Sequence, residues 1–228
     1  FAPDEHGRIE LLPAAARRVA AAQGDDLPPI VAVGGPCKAN EVAAGRATAA
    51  VFASKDATLA RETAASVATD GYRAQALGDE NGVEICAPMK NVYAIALGIT
   101  DGLAERDGQP WHDLKAAGFA RAVQEMIVLS ELVGGRADTA FGLAGVGDLE
   151  VTALSGRNGA YGARIGRGEA AAAALAAMPP PSRPSRGSRP RNSPPPWSTN
   201  GRRNCGPGWC CWPPSGTSSA ATPTRWAG

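Results

Sequence analysis

The sequence predicts an α/β chain in three parts: a portion of a doubly wound sheet over residues 1–82, an all-helical region over residues 83–178, and a disordered tail over residues 179–228. Three observations support this division. Short apolar runs alternate with helical spacing before residue 83, and only helical spacing continues after it. Beyond Met178 the composition changes abruptly and lacks the residues that build a core. We therefore expect a folded body followed by a segment of different character.

The first part contains three short apolar runs typical of buried strands, at residues 29–33, 49–53 and 72–77. Between the second and third runs, residues 56–69 begin with an aspartate suited to cap a helix and continue with helical spacing. This strand–helix–strand order favours a doubly wound sheet. An alanine-rich helix is predicted before it, over residues 11–22.

The second part carries apolar residues at three- and four-residue steps, which place them on one face of a helix. Residues 114–132 repeat that pattern, and a glycine pair follows. Glycine-rich segments at 142–147 and 156–159 are predicted to be turns between short helices. The residues predicted to form the first apolar face are Val92, Ile95, Ile99 and Leu103.

Charge is distributed unevenly along the chain. The 228 residues include 23 basic and 22 acidic side chains, for a net charge of +1. Seven arginines and no acidic residue lie in residues 179–228, so the tail has a charge of +7 and residues 1–178 have a charge of −6. The body thus has the balance of an ordinary cytoplasmic protein. We see no membrane span, no signal peptide and no metal-binding pattern of cysteines.

The tail contains 12 of the 19 prolines and no Ile, Val, Leu, Phe or Tyr, so it cannot bury a core. One interpretation is a basic segment that binds nucleic acid or an anionic surface. The other is translation of a GC-rich gene out of frame after Met178. We favour the second, because such codons encode mostly Pro, Arg, Ser, Gly, Ala, Trp and Cys.

Lys90 is the first candidate for chemistry. It follows Pro88, which suits the first turn of a helix, so we predict that Lys90 lies near a helix N-terminus. The helix dipole and partial burial would both favour release of its proton, as a general acid requires. The alternative is a surface lysine beside an apolar stripe. Asp148 follows a glycine-rich turn and is interpreted either as the N-cap of the next helix or as a carboxylate that orients a lysine.

Two loops are candidates for binding phosphate. Residues 156–159 combine the guanidinium of Arg157 with the amide of Asn158, and Thr152 lies one turn earlier. A guanidinium binds phosphate oxygens in a bidentate manner. Residues 34–37 follow a predicted strand, and ligands bind outside the carboxyl ends of strands in open α/β sheets. The alternatives are a solvated loop arginine and a plain strand-to-helix turn.

Four segments occur in a fixed order: Gly-Gly-Pro-Cys-Lys-Ala-Asn-Glu at 34–41, Val-Glu-Ile-Cys-Ala-Pro-Met-Lys-Asn at 83–91, Gly-Leu-Ala-Gly-Val-Gly-Asp-Leu at 142–149, and Gly-Arg-Asn at 156–158. In this order and spacing they resemble the NAD(P)-dependent glycerol-3-phosphate dehydrogenases over about residues 29–168. The resemblance implies the C-terminal part of a Rossmann-like domain that binds NAD(P), followed by an all-helical substrate domain.

The resemblance also implies hydride transfer between NAD or NADP and C2 of dihydroxyacetone phosphate, giving sn-glycerol 3-phosphate for phospholipid synthesis. It implies a small-molecule partner and no nucleic acid or metal, and it is compatible with a homodimer. Lys90 would donate and accept the proton, with Asp148 beside it. The implied substrate-binding residues are Gly35, Cys37, Lys90, Asn91, Asp148, Thr152, Gly156, Arg157 and Asn158. The implied cofactor contacts are Ala39 and Arg157.

The chain departs from the family pattern at three positions. Cys37 replaces a serine or threonine, Pro88 replaces a small residue, and Gly156 replaces a serine. The family's glycine-rich nucleotide-binding loop would precede Phe1, so we expect a fragment that does not by itself bind NAD(P)H tightly. Three alternatives stay open: a catalytically inactive truncated paralogue, a binding protein that uses the basic tail, and a dehydrogenase of another hydroxy acid phosphate.

Overall fold

The computed structural model describes residues 2–179. The predicted tail, apart from Pro179, lies outside the described residues. In chain order the strands are β1 (Ala2–Pro3), β2 (Ile9–Glu10), β3 (Ala32–Gly34), β4 (Thr48–Ala53) and β5 (Tyr72–Leu77). The α-helices are α1 (Leu12–Gln23), α2 (Ala39–Ala43), α3 (Ala57–Val67), α4 (Glu80–Asp107), α5 (His112–Leu132), α6 (Ala137–Phe141), α7 (Asp148–Ser155), α8 (Arg157–Gly166) and α9 (Ala171–Ala176).

The larger sheet has the strand order β3–β4–β5. β4 and β5 run parallel with Thr48 opposite Tyr72, and α3 makes the connection between them, as predicted for an α/β unit. β3 instead pairs antiparallel with β4, with Gly34 opposite Val51. The expectation of a doubly wound sheet therefore fails at β3. The physical reason is its connection to β4, which holds only the five-residue α2 with no buried residue, and so no helix that crosses the sheet.

Helix α3 begins as the sequence predicts. The Asp56 carboxylate accepts hydrogen bonds from the backbone N–H groups of Thr58 and Leu59, at 2.8 and 3.2 Å. Ala60 and Ala64 are buried on the face toward the sheet. A local cap and a local apolar spacing are therefore sufficient to define this helix.

Helix α4 begins eight residues before Pro88, so the prediction that Pro88 and Lys90 lie near a helix start is wrong. The start is fixed by Asp79, whose buried carboxylate accepts a hydrogen bond from the Gly82 N–H at 2.9 Å. The same carboxylate accepts from the Arg136 N–H at 2.9 Å and the Thr139 hydroxyl at 2.6 Å. Partners almost 60 residues away thus stabilise this cap, which is why local pattern did not reveal it.

The buried face of α4 also differs from the predicted one. Val92 is 54% exposed, whereas Tyr93, Ala94, Leu97 and Gly98 are buried. The predicted face lies beside the true one because α8 packs closely on α4. This approach uses glycines on both helices, since an added methyl at Gly98 would overlap the carbonyl group of Gly159.

The segment predicted as a glycine-rich turn at 142–147 is instead helical. Residues Leu143–Gly147 form one π-helical turn that runs directly into α7. Ala144 and Gly145 are buried in it, and an added methyl at Gly145 would overlap the carbonyl of Ala140. The glycine therefore serves close packing between helical segments and not a change of chain direction.

The sequence predicts a domain boundary between residues 82 and 83, which lie in the first turn of α4. The division into domains at this point stays a prediction. Immediately before this boundary, the Arg17 guanidinium of α1 makes two parallel hydrogen bonds, of 2.6 and 2.7 Å, to the buried carboxylate of Glu80. This bidentate pair joins the N-terminal helix to the start of α4.

Glu84, one turn further along α4, is a titratable group with a measurable consequence. Burial, followed by the charge of Glu80, raises the pKa of Glu84 above its ordinary value of 4.5. A carboxyl with a raised folded-state pKa opposes folding when ionised, so its cost appears as the pH rises above the unfolded value. We expect Glu84→Gln to raise the midpoint of thermal unfolding at pH 7 and to leave it unchanged below about pH 4.

The matched control for Glu84 is Glu62→Gln, an exposed glutamate on α3. We expect its midpoint to follow the unmodified chain at both pH values. A gain for Glu84→Gln that is equal at pH 4 and pH 7 would contradict the assignment, because the gain would then not depend on ionisation.

Candidate active site

The central feature of the site is an ion pair between two helices. Lys90 Nζ of α4 lies 2.5 Å from Asp148 Oδ2 at the start of α7. The Asp148 side chain is 5% exposed and that of Lys90 is 23% exposed. The carboxylate is thus nearly enclosed, while the ammonium still reaches solvent. Such a lysine can exchange a proton with a small molecule while the ion pair with Asp148 fixes the position of its ammonium.

The interpretation of Asp148 as a helix N-cap is wrong. Gly147 occupies the cap position, and Asp148 is the first residue of α7 with no capping hydrogen bond from its side chain. Its carboxylate turns to Lys90 instead. The π-helical turn directly precedes α7. The other interpretation, a carboxylate that orients a lysine, is compatible with this contact and stays a prediction.

Gly35 supplies the second contact to this carboxylate. Its backbone N–H donates to Asp148 Oδ2 at 3.2 Å. Gly35 has φ +117°, and a side chain there would press on the backbone of Ala50. The loop is further held by Thr48, whose hydroxyl donates to the Pro36 carbonyl at 2.6 Å. The loop follows the carboxyl end of β3, as predicted. Because β3 is antiparallel to β4, that end of β3 lies beside the amino end of β4.

Asn91 and Asn158 form a second link between α4 and α8. Asn158 Nδ2 donates to Asn91 Oδ1 at 2.8 Å, and Asn91 Nδ2 donates to the Ala87 carbonyl at 3.3 Å. Since Asn91 follows Lys90 directly, this amide pair lies next to the ion pair in the chain. The structure therefore joins Lys90, Asp148 and Gly35 in one set of contacts, and Asn91 and Asn158 in a second set.

Cys37 is directed toward the sheet. Its Sγ donates to the hydroxyl of Tyr72 at 3.6 Å, and the Tyr72 ring packs edge-on against Phe52. Burial, with the Cys37 contact second, raises the pKa of Tyr72 to about 12. The structure thus gives the Cys37 thiol a partner in the sheet, and its substrate contact stays a prediction.

The remaining predicted residues have no hydrogen bond to the ion pair within residues 2–179. Arg157 is exposed and its Nη1 donates to the Pro179 carbonyl. Gly156 is the N-cap of α8, Thr152 is half-buried in α7, and Ala39 is exposed at the start of α2. Ser155, Gly156 and Arg157 line an open groove of about 760 Å³. These substrate and cofactor assignments stay predictions.

Cys86 lies beneath the site, and sequence reasoning gave it no role. It is fully buried, and burial, followed by the charges of Asp79 and Asp148, raises the pKa of its thiol to about 12. A thiol in this environment stays protonated and does not act as a nucleophile. No group of three or more His, Cys, Asp or Glu within residues 2–179 is arranged to hold a metal ion.

The strand-to-helix turns do not fit the phosphates of a dinucleotide. Such phosphates bind where the N–H groups of a helix N-terminus are free. At the turn from β4 to α3 the Asp56 carboxylate accepts from two of those groups, and at the turn from β5 to α4 the Asp79 carboxylate accepts from the Gly82 N–H. A pyrophosphate would meet negative charge at both turns, so neither holds the cofactor's phosphates.

Comparison with known proteins identifies similar sequences. Residues 79–180 match the family model described as the NAD-dependent glycerol-3-phosphate dehydrogenase C-terminus. The chain is 40% identical over 143 residues to glycerol-3-phosphate dehydrogenase [NAD(P)+] of Agrobacterium fabrum, covering 62% of this chain and 42% of the relative. It is 38% identical over 138 residues to the NADP(+)-dependent glycerol-3-phosphate dehydrogenase of Archaeoglobus fulgidus, covering 60% and 41%.

A solved structure agrees with the sequence matches. The glycerol-3-phosphate dehydrogenase from Coxiella burnetii superposes with a TM-score of 0.62 at 33% identity, covering 72% of this chain and 49% of that one. The chain thus shares with that structure an α/β part followed by a helical part, and the helical part carries the Lys90–Asp148 ion pair. Through residues 79–180, the chain is similar to the C-terminal part of the NAD-dependent glycerol-3-phosphate dehydrogenases.

The resemblance inferred from the four sequence segments is therefore confirmed, as is the fold class of a partial Rossmann-like unit followed by helices. The chain spans about 42% of the length of the curated relatives that it matches. No helix within residues 2–179 is long and apolar enough to cross a membrane.

Proposed function

We propose that this chain carries the substrate-binding and proton-transfer part of a glycerol-3-phosphate dehydrogenase. The reaction is the interconversion of dihydroxyacetone phosphate and sn-glycerol 3-phosphate with NAD or NADP. The observation that carries the proposal is the ion pair of Lys90 and Asp148. The hydrogen bond between Asn158 and Asn91, the residue after Lys90, supports it. The cytoplasmic location that the charge balance indicates and the role in phospholipid synthesis that the resemblance implies belong to the same proposal. So does the homodimer with which the resemblance is compatible.

The proposed chemistry needs one proton and one hydride. When bound, the nicotinamide of NAD(P)H supplies the hydride to C2. As the C2–O double bond opens, negative charge develops on its oxygen, and the Lys90 ammonium donates a proton there, which yields the secondary alcohol. In the reverse direction the neutral amine of Lys90 accepts that proton from the C2 hydroxyl.

Asp148 acts through Lys90 in this proposal. A carboxylate fixed by the Gly35 N–H holds the ammonium in one position, so the group does not have to reorganise as charge develops. Asn91 and Asn158 offer amide groups for the substrate hydroxyls. Arg157 supplies a guanidinium for the phosphate.

The described residues take the substrate and the proton, not the phosphates of the cofactor. At both strand-to-helix turns a carboxylate, of Asp56 or of Asp79, accepts from the helix N–H groups, so a pyrophosphate would meet negative charge there. Arg157 and Ala39 are the residues proposed to lie near the reacting end of the cofactor. No step of the proposal depends on cofactor contacts beyond these.

Turnover of the full chain tests the proposal. Because the chain is expected to bind NAD(P)H only weakly, the cofactor is added at millimolar concentration. We expect slow oxidation of NADH or NADPH, followed by absorbance, when dihydroxyacetone phosphate is added. Dihydroxyacetone without the phosphate is the matched control and should react far more slowly, because the phosphate supplies binding energy that positions the carbonyl.

Binding of sn-glycerol 3-phosphate, measured by calorimetry, completes this test. Binding without turnover would favour the inactive paralogue over the enzyme. Absence of both binding and turnover in a chain that melts cooperatively would contradict the proposal itself.

A further inference from the structure

Lys38 lies where the β3 loop meets the start of α8. It follows Cys37 in the loop, and its Nζ donates to the hydroxyl of Ser155 at 2.5 Å. Ser155 ends α7 and lines the same open groove as Arg157. A lysine from the N-terminal part of the chain therefore places its ammonium at the edge of a groove formed by the C-terminal helices.

The cations at this groove differ in whether a carboxylate neutralises them. Arg164 and Arg167 also line it, and each forms an ion pair with a glutamate, at 2.7 and 2.6 Å. Lys38 and Arg157 have no carboxylate partner within residues 2–179; each donates to a neutral oxygen. Arg157 lines the groove and Lys38 contacts Ser155 at its edge, so two cations with only neutral partners lie near one another there. An anion is the ligand that would satisfy them.

We propose that Lys38 is a phosphate-binding residue that acts with Arg157 on the substrate. The inference rests on the proposed function, since it names a further residue for that substrate. The Lys38 ammonium has three N–H donors, and Ser155 uses one of them, so two donors remain for phosphate oxygens. Arg157 supplies a planar fork, whereas Lys38 supplies a compact charge from the opposite part of the chain.

A purely structural role for Lys38 predicts a different result. If Lys38 only ties the β3 loop to α7, the hydrogen bond to Ser155 is what matters, and the charge is incidental. Removing the hydroxyl of Ser155 would then be as harmful as removing the ammonium. If Lys38 binds phosphate, removing the hydroxyl leaves the charge in place and has little effect.

The experiment measures dissociation constants of the full chain for sn-glycerol 3-phosphate and for inorganic phosphate by calorimetry. We expect Lys38→Met to raise both constants about tenfold, and Lys38→Arg and Ser155→Ala to change them less than about threefold. Increasing salt should weaken binding less steeply in Lys38→Met. The matched control is Lys55→Met, an exposed lysine that also lacks a carboxylate partner within residues 2–179, and it should bind as the unmodified chain does.

The outcomes separate this inference from the proposed function. Equal binding by Lys38→Met and the unmodified chain would overturn the assignment of Lys38 and leave the proposed substrate intact. Equal losses in Lys38→Met and Ser155→Ala would overturn it in favour of a tether. Failure of the unmodified chain to bind either ligand would overturn both the assignment and the proposed function.

Discussion

Replacing Lys90 with methionine is expected to lower kcat for reduction of dihydroxyacetone phosphate about 10²- to 10⁴-fold. Methionine has a similar length but no proton to donate, so the charge that develops on the C2 oxygen is left without its acid. The change also leaves the Asp148 carboxylate buried without its cation, which costs about 3 kcal/mol of stability. Rates are therefore measured well below the unfolding temperature of the variant.

Two further variants separate catalysis from folding. Lys90→Arg keeps a positive charge beside Asp148, and we expect it to retain much of the stability and little of the turnover, because a guanidinium does not release its proton. Lys115→Met is the matched control, since Lys115 forms a surface ion pair with Asp101 at 2.7 Å. We expect it to change kcat less than about twofold and stability by less than ~1 kcal/mol. Full turnover in Lys90→Met would exclude Lys90 as the proton donor.

Gly98→Ala is expected to destabilise the fold by about 3 kcal/mol, the upper part of the range for overpacked sites. The added methyl would overlap the backbone carbonyl of Gly159 on α8, and backbone cannot move aside as a flexible side chain can. Gly102 meets the Ala163 carbonyl in the same way, so the two helices are in close backbone contact at both glycines. The midpoint of thermal unfolding should fall by about 6–12 °C.

The matched control for this prediction is Gly118→Ala on α5. An added methyl there would lie 3.5 Å from the Leu97 side chain, an ordinary contact, and alanine favours the helix by about 1 kcal/mol. We expect that variant to be as stable as the unmodified chain or more stable. Similar midpoints for Gly98→Ala and Gly118→Ala would show that the close approach of α4 and α8 is not required.

The close approach of α4 and α8 connects stability to the site. Asn158 lies in the first turn of α8, and its amide reaches Asn91 because the glycines allow the helices to pack at short distance. A shift of α8 in Gly98→Ala should therefore also weaken binding of sn-glycerol 3-phosphate. Gly98 and Gly102 therefore contribute to the geometry of the site, although neither carries a functional group.

Some elements could be predicted from the sequence because their causes are local. β5 begins at Tyr72 and ends at Leu77 as predicted, since its alternation of side chains is visible in six consecutive residues. The start of α3 was equally visible, because Asp56 caps N–H groups only two and three residues away. The family resemblance could also be inferred, since four short segments recur in one order.

Other features could not be predicted, because their causes lie far apart in the chain. The true start of α4 depends on Asp79 and its contacts to Arg136 and Thr139, so Pro88 was misread as a helix beginning. The antiparallel β3 depends on the absence of a crossing helix before β4. The position of Lys38 could not be predicted, because its partner Ser155 is 117 residues away in the chain.

By itself, the sequence determined the chemical groups of this protein: a lysine, a carboxylate, two amides and an arginine in an order shared with one dehydrogenase family. Only the tertiary structure decided which of them meet. Lys90 and Asp148 are 58 residues apart, and they come within 2.5 Å because the π-helical turn directs α7 toward the side chain of Lys90. Spacing along the chain determines which residues share a face of a helix, whereas helix packing determines which faces are in contact. In this protein the packing of α4 on α8 depends on glycines, because their lack of a side chain lets the two backbones come into contact.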